Sequence, residues 1–428
     1  MSADLPARAE SAAAAALAEP SRTRVGVGFI AIYLLAMFGI WMSINLPASV
    51  TIALRIGDID PENKTGTYSL VAGVGTLIAV LANPFFGRLS DRTRSRFGRR
   101  RPWIVVGVLG TAAGAAVIGL SNTVPLMIIG WVLMQGFVNA AIAAALAIVA
   151  DRIPEEQQGF VGSLSGLAGS LSIVVGIFFI QIFPTSILAQ IGLPVLAAVV
   201  FGGLLVIAYR DDTPAQGPRV PFGFKEFLGS FYVNPRSESN FTWLLVSLFL
   251  VACGFGVVST YTVYFLQDQI AVPADDLAGV LTLAYLLPGV VAVVATPLAG
   301  WVGDRLGRRK PVVIAAALSV AGGIVVIVTA TSPTQFVVGV CLVSGVGAGA
   351  LMGTFIALAI ATMTSPADAA RNLGIANIAV TLPFSIVPFV APLLLGIGSG
   401  ANYTLLFLAG GVVAAAGIIP LVFIRNAR

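Results

Sequence analysis

Most of the side chains that could do chemistry in this 428-residue chain are uncharged, and the common catalytic groups are missing. There is no histidine, so neither a Ser-His-Asp triad nor a zinc-histidine hydrolase can be assembled. The three lysines, Lys64, Lys225 and Lys310, lie outside any Gly-x-x-x-x-Gly-Lys loop, which excludes a Walker-type ATPase. Cys253 and Cys341 sit in long apolar runs; two such residues make neither a disulfide framework nor a four-ligand zinc site. The run from Gly345 to Ala350 formally matches a dinucleotide fingerprint, but no strand precedes it. The chain is therefore expected not to be an enzyme, to use no ATP, and to need no cofactor or metal.

What remains is a set of amides, hydroxyls and aromatic rings interrupting apolar sequence. Gln135 and Asn139 are four residues apart, as are Asn377, Thr381 and Ser385, so on helices each set shares a face. Trp41 with Asn45, Tyr261 with Tyr264, and Tyr285 add further interruptions. Amides and rings together suit an uncharged, hydroxyl-rich ligand. Their competing use is helix-to-helix hydrogen bonding, or anchoring at a membrane interface. Substrate contact is expected of Trp41, Asn45, Gln135, Asn139, Tyr261, Tyr264, Tyr285, Asn377 and Thr381.

The elements that position these residues follow from composition. Apolar residues make up 57% of the chain and charged residues 10%, against about 45–50% and 25% in soluble domains. Apolar segments run approximately over 25–53, 67–86, 103–120, 126–150, 159–182, 187–208, 240–266, 277–299, 312–331, 335–361, 373–395 and 403–424. Each can cross a bilayer as a helix, and none alternates as barrel strands do. The expected fold is an all-α membrane protein with twelve transmembrane helices in two pseudo-symmetric six-helix bundles. Residues 1–24 form a tail, 25–208 the first bundle, 209–239 a central loop, 240–424 the second bundle and 425–428 a second tail. Pro288, Pro383 and Pro388 should bend helices 8 and 11, and Gly162 with Gly166, and Gly345, Gly349 and Gly353, should mark close helix packing.

Charge fixes the orientation. With the amino terminus inside, 22 of the 24 basic residues face the cytoplasm; only Arg55 and Lys64 lie outside, among six carboxylates. This is the positive-inside pattern, with both termini cytoplasmic in a bacterial-type inner or plasma membrane. The net charge of +5 therefore reports topology, and no nucleic acid is expected as a partner. All charges fall in loops or at helix ends, which leaves a neutral membrane interior.

The cytoplasmic loops carry a repeat. Pro84, Gly87, Asp91 and Arg92 recur 213 residues later as Pro297, Gly300, Asp304 and Arg305, and Gly98-Arg99-Arg100-Arg101-Pro102 recurs 209 residues later as Gly307-Arg308-Arg309-Lys310-Pro311. The first copy thus holds four extra residues. Glycine at a helix end permits close approach, and the aspartates can accept from arginines. Gly87, Asp91, Arg92, Arg99, Arg100, Gly300, Asp304, Arg305 and Arg308 are read as an inner gate. Asp151 is expected to pair with Arg99, Arg100 or Arg308.

On these motifs the chain resembles the major facilitator superfamily, over essentially its whole length. The run from Ser90 to Pro102 looks like the sucrose-transporter branch related to the glycoside-pentoside-hexuronide carriers. The resemblance implies alternating access around a midplane site. The membrane-embedded aspartate of helix 1 and the helix 4 arginine of proton-coupled sucrose carriers are absent, Asn139 standing in the latter region, as are the helix 1 and 2 acids of melibiose-type carriers. Asp268, at the outer end of helix 7, is the remaining coupling candidate. The expected function is facilitative or secondary transport of a small, neutral, sugar-like solute by a monomer in a lipid bilayer. The alternatives are export of apolar, drug-like compounds and a non-transporting receptor or scaffold.

Overall fold

A computed structural model describes residues 24–184, 186–210, 235–363, 369–398 and 401–424. Both tails and most of the central loop lie outside the described residues. Among the described residues, twelve helices are long and apolar enough to cross a membrane: α1 Val27–Ile59, α2 Lys64–Arg92, α3 Arg101–Leu120, α4 Val124–Arg152, α5 Glu155–Ile182, α6 Ile187–Ala208, α7 Ser239–Gln269, α8 Ala274–Leu306, α9 Lys310–Val328, α10 Pro333–Phe355, α11 Asn372–Leu395 and α12 Tyr403–Phe423. Among the described residues there is no strand. The chain is an integral membrane protein.

Several helices outrun their apolar cores. The apolar count for α1 ends at 53, yet the helix continues to Ile59 because Ile52, Ala53 and Ile56 remain buried. Arg55 consequently lies within the helix, donating to the Ser121 carbonyl at 2.6 Å and to Asn122 Oδ1 at 3.1 Å. A wide turn covers Pro47–Thr51, where proline lacks the N–H that would continue the ladder. Further wide turns at Phe265–Gln269 and Cys341–Gly347 have no sequence signal. The expected bend in α11 falls between Thr381 and Pro383. α8 keeps Pro288 and Pro297 within one continuous helix.

The duplication extends into the packing. A Cβ on Gly114 of α3 would lie 2.8 Å from the Gly130 carbonyl of α4, and one on Gly130 would lie 3.0 Å from that of Gly114. Gly323 of α9 and Gly339 of α10 repeat this reciprocal contact at 2.8 and 2.9 Å. Both pairs are offset by 209 residues, so the same backbone crossing holds corresponding helices in each half. The glycines of α10 also pack closely, with Gly345 and Gly349 against α8 residues. Gly162 and Gly166 do not. A Cβ on either would meet nothing within 4 Å, because that face of α5 borders a cavity.

Candidate functional site

The two halves meet at the face opposite the basic loops. There Tyr68 of α2 lies edge-on to Tyr261 and Tyr264 of α7, at centroid distances of 6.3 and 5.4 Å. Tyr261 shares a 2.5 Å hydrogen bond with Ser69, Tyr264 donates to the Ala53 carbonyl at 2.8 Å, and Tyr285 reaches the Ser49 carbonyl at 3.4 Å. Gln181 of α5 donates to Thr282 of α8 at 2.7 Å. Lys64 Nζ sits 2.5 Å from Asp268 Oδ1 and 5.2 Å from the Tyr264 ring centroid. The Tyr403 hydroxyl holds the other carboxylate oxygen of Asp268 at 2.7 Å. Tyr261, Tyr264 and Tyr285 thus belong to this closed face and do not line the main cavity.

That cavity, about 910 Å³, lies between the halves. Its wall from the first half includes Trp41, Asn45, Thr76, Asn83, Arg88, Gln135 and Asn139; the second half contributes Gly374, Ile375, Asn377, Ile378, Thr381 and Phe384. The structure therefore brings together Trp41, Asn45, Gln135, Asn139, Asn377 and Thr381 as sequence spacing expects. Ser385 falls outside, beyond the break before Pro383. Thr76, Asn83 and Arg88 were missed. Thr76 and Asn83 are seven residues apart on α2, a spacing that returns to the same face. Arg88 was read as part of the loop signature, yet it lies inside α2, so the wall is not wholly neutral.

The amides differ in what they have left to offer. Asn45 Nδ2 donates to Ser172 Oγ at 3.0 Å and to the Gly169 carbonyl at 3.2 Å, tying α1 to α5. Asn139 donates to the Gln135 carbonyl at 2.9 Å and accepts from Asn83 at 3.2 Å, so it is braced by α2. The side chain of Gln135 makes no hydrogen bond to the described residues, although it is only 6% exposed. Among the described lining residues there is no carboxylate.

At the basic loops the expected partners of Asp151 divide: Arg99 and Arg100 pair with it, and Arg308 does not among the described residues. Asp151 pairs with Arg99 at 2.6 Å and Arg100 at 2.7 Å, and Arg100 reaches Asp91 at 2.6 Å. All four residues belong to the first half. In the second, Asp304 pairs with Arg309 at 2.8 Å, Arg305 lies over the Trp301 ring, and Arg308 forms no ion pair among the described residues. These ion pairs brace each half internally and do not clasp one half to the other. Gly87 faces Ala143 and Gly300 faces the Gly353 carbonyl, and Arg92 is exposed. Burial of Arg100 alone would weaken its hold on its proton, but Asp151 and Asp91 outweigh this and raise its pKa.

Comparison with known proteins agrees with this architecture. The sequence profile of the Major Facilitator Superfamily matches residues 29–388 and 274–428. The multidrug resistance protein MdtG of Erwinia billingiae (strain Eb661) is 24% identical over 289 residues, 66% of each chain. That of Salmonella arizonae (strain ATCC BAA-731 / CDC346-86 / RSK2980) is 25% identical over 261 residues, 59% of this chain and 60% of the relative. The chain thus spans just under two thirds of these relatives. Among solved structures, the peptide transporter POT in complex with alafosfalin superimposes with a TM-score of 0.73 at 14% identity, covering 94% of this chain and 96% of that one. The nucleoside transporter NupG gives 0.72 at 10% identity, covering 92% and 100%. With twelve helices, duplicated loops, a cavity between the halves and a profile match across most of its length, the chain belongs to the Major Facilitator Superfamily.

Proposed function

We propose that this chain carries an uncharged solute, with a hydroxyl-rich, sugar-like head and an apolar body, across the membrane by alternating access. The observation that supports this most directly is the unpaired Gln135 amide among Asn45, Asn83, Asn139 and Asn377. An amide that opens into the cavity without a protein partner favours a ligand that supplies one. Isoleucines and Phe384 on the facing wall favour an apolar flank. By the positive-inside pattern the basic face is cytoplasmic, and the described form is then inward-open with its outer face sealed.

Asp268 is better suited to latching that outer face than to coupling, since Lys64 and Tyr403 occupy both of its oxygens. Export of drug-like compounds is the second reading, favoured by the relatives named for multidrug resistance and by the size of the cavity. A thermal-shift panel of sugars, glycosides and lipophilic cations on purified protein separates the two. Glycosides should stabilise wild type, and Gln135→Ala should lose that response. Stabilisation by lipophilic cations alone would overturn the proposal.

A further inference from the structure

The first copy of the duplicated loop holds four residues that the second lacks. Where Leu306 alone joins Arg305 to Gly307, the five residues 93–97 join Arg92 to Gly98. They bring in Arg94, Arg96 and Phe97, none of which takes part in the ion pairs described above.

The added residues form an ordered turn between α2 and α3. The Phe97 N–H donates to Ser95 Oγ at 3.1 Å and the Gly98 N–H to the Ser95 carbonyl at 3.0 Å. Gly98 takes a φ of 90°, which glycine adopts without a Cβ clash. The turn leaves Arg94, Arg96 and Phe97 exposed, with the Arg96 guanidinium 4.7 Å from the Phe97 ring centroid. No carboxylate stands between Arg92 and Pro102.

A tryptophan fixes the depth of this turn in the membrane. The Trp103 indole N–H donates to Thr93 Oγ1 at 2.7 Å, and its ring lies 5.4 Å from that of Phe86. Just deeper on α3, Val105, Val106 and Leu109 are exposed and line neither cavity, so they face lipid. Trp103 stands where that apolar face ends, the level at which indoles settle among headgroups. A basic turn tied to that level, with Phe97 55% exposed, suits a lipid with an anionic head: the arginines meet its phosphate and the ring enters the acyl boundary.

We infer that this turn is a docking site for an anionic phospholipid of the cytoplasmic leaflet, built into the first half and absent from the second. It is independent of the solute that the central cavity takes. Native mass spectrometry of the full-length protein in detergent tests it, with phosphatidylglycerol and phosphatidylcholine of identical chains titrated separately and the first bound lipid quantified. Wild type should prefer phosphatidylglycerol by about 25-fold, from two arginines worth about fivefold each. Arg94→Gln and Arg96→Gln should each weaken phosphatidylglycerol about fivefold and leave phosphatidylcholine unchanged. Phe97→Ser should weaken both lipids by a common factor, since a ring reads no headgroup charge. These side chains are exposed, and wild-type melting in lipid-free detergent would certify the folded state of each variant. In the second copy, Arg305→Gln and Arg308→Gln should leave the affinity for phosphatidylglycerol unchanged. Absence of a headgroup preference in wild type, or equal losses from variants of the two copies, would overturn the site. Binding of glycerol 3-phosphate as tight as that of the lipid, and weakened by the same first-copy variants, would assign the turn to a soluble phosphate ester and overturn it equally.

Discussion

Replacing Lys64 with methionine should unlatch the outer face. Lys64 makes two contacts across the halves, the ion pair with Asp268 and the approach to the Tyr264 ring. The ion-pair side chains are 25% and 30% exposed, so solvent screening limits that contact to about 0.5–1 kcal/mol. The cation–ring contact adds about 0.5–1 kcal/mol. The Tyr403 bond does not count, since Tyr403 and Asp268 lie in the same half and move together. The loss of about 1–2 kcal/mol corresponds to a fivefold to thirtyfold shift toward an outward-open form. Tyr261–Ser69, Tyr264–Ala53 and Gln181–Thr282 still hold the face, which is why the shift is partial. Spin labels at Glu62→Cys and Asp275→Cys, both exposed and on opposite halves, in a Cys253→Ala/Cys341→Ala background, would report it by pulsed dipolar spectroscopy. The longer-distance population should grow in Lys64→Met, grow less in Asp268→Asn, and grow by less than the sum in the double variant. An unchanged distribution, or strictly additive effects, would refute the latch.

Other predictions follow from the same geometry. Asp151→Ala should lower thermal stability by the equivalent of about 1.5–3 kcal/mol, because buried Arg100 loses its more shielded carboxylate and keeps Ser90 and the half-exposed Asp91. Asp304→Ala, which removes an exposed pair, should cost about 0–1 kcal/mol, and equal melting shifts for the two would contradict the asymmetry between the halves. Gly114→Val or Gly323→Val should each destabilise by about 1–3 kcal/mol or prevent folding, while Gly203→Ala, facing open space, should leave melting unchanged. In proteoliposome counterflow, Gln135→Ala should weaken solute binding about fivefold to tenfold, as for one hydrogen bond at a buried site. Wild-type flux in that variant would remove Gln135 from the binding site.

The candidate site was only partly legible because a polar residue in a membrane helix has two uses. Spacing placed Trp41, Asn45, Gln135 and Asn139 correctly on shared faces, since four-residue periodicity survives any packing of the helices. It could not separate them from Tyr261, Tyr264 and Tyr285, equally polar and equally deep in sequence, whose hydroxyls are taken by partners on the opposite half. Arg88 escaped because an apolar count stops at the loop signature, whereas the helix runs on to Arg92. The α5 glycines misled in the opposite sense, whereas those of α10 pack closely as expected. The repeat on α5 opens a cavity, while the pair that seals each half, Gly114 with Gly130 and Gly323 with Gly339, lies on separate helices and has no short-range pattern.

The sequence by itself determined the number of crossings, the placement of charge at the two faces and the duplication of the halves. Each of these depends on solvation: lipid excludes charge, and backbone hydrogen bonds in lipid must close within a helix. The tertiary structure decided at which end the halves touch, that the arginine–aspartate pairs among the described residues each stay within one half, and that two cavities share Trp41 and Asn45. The contacts that join the halves link residues more than a hundred positions apart, and Asp151 lies 52 and 51 positions from its two arginines. Solvation constrains the surface each residue faces, and only packing selects its neighbour.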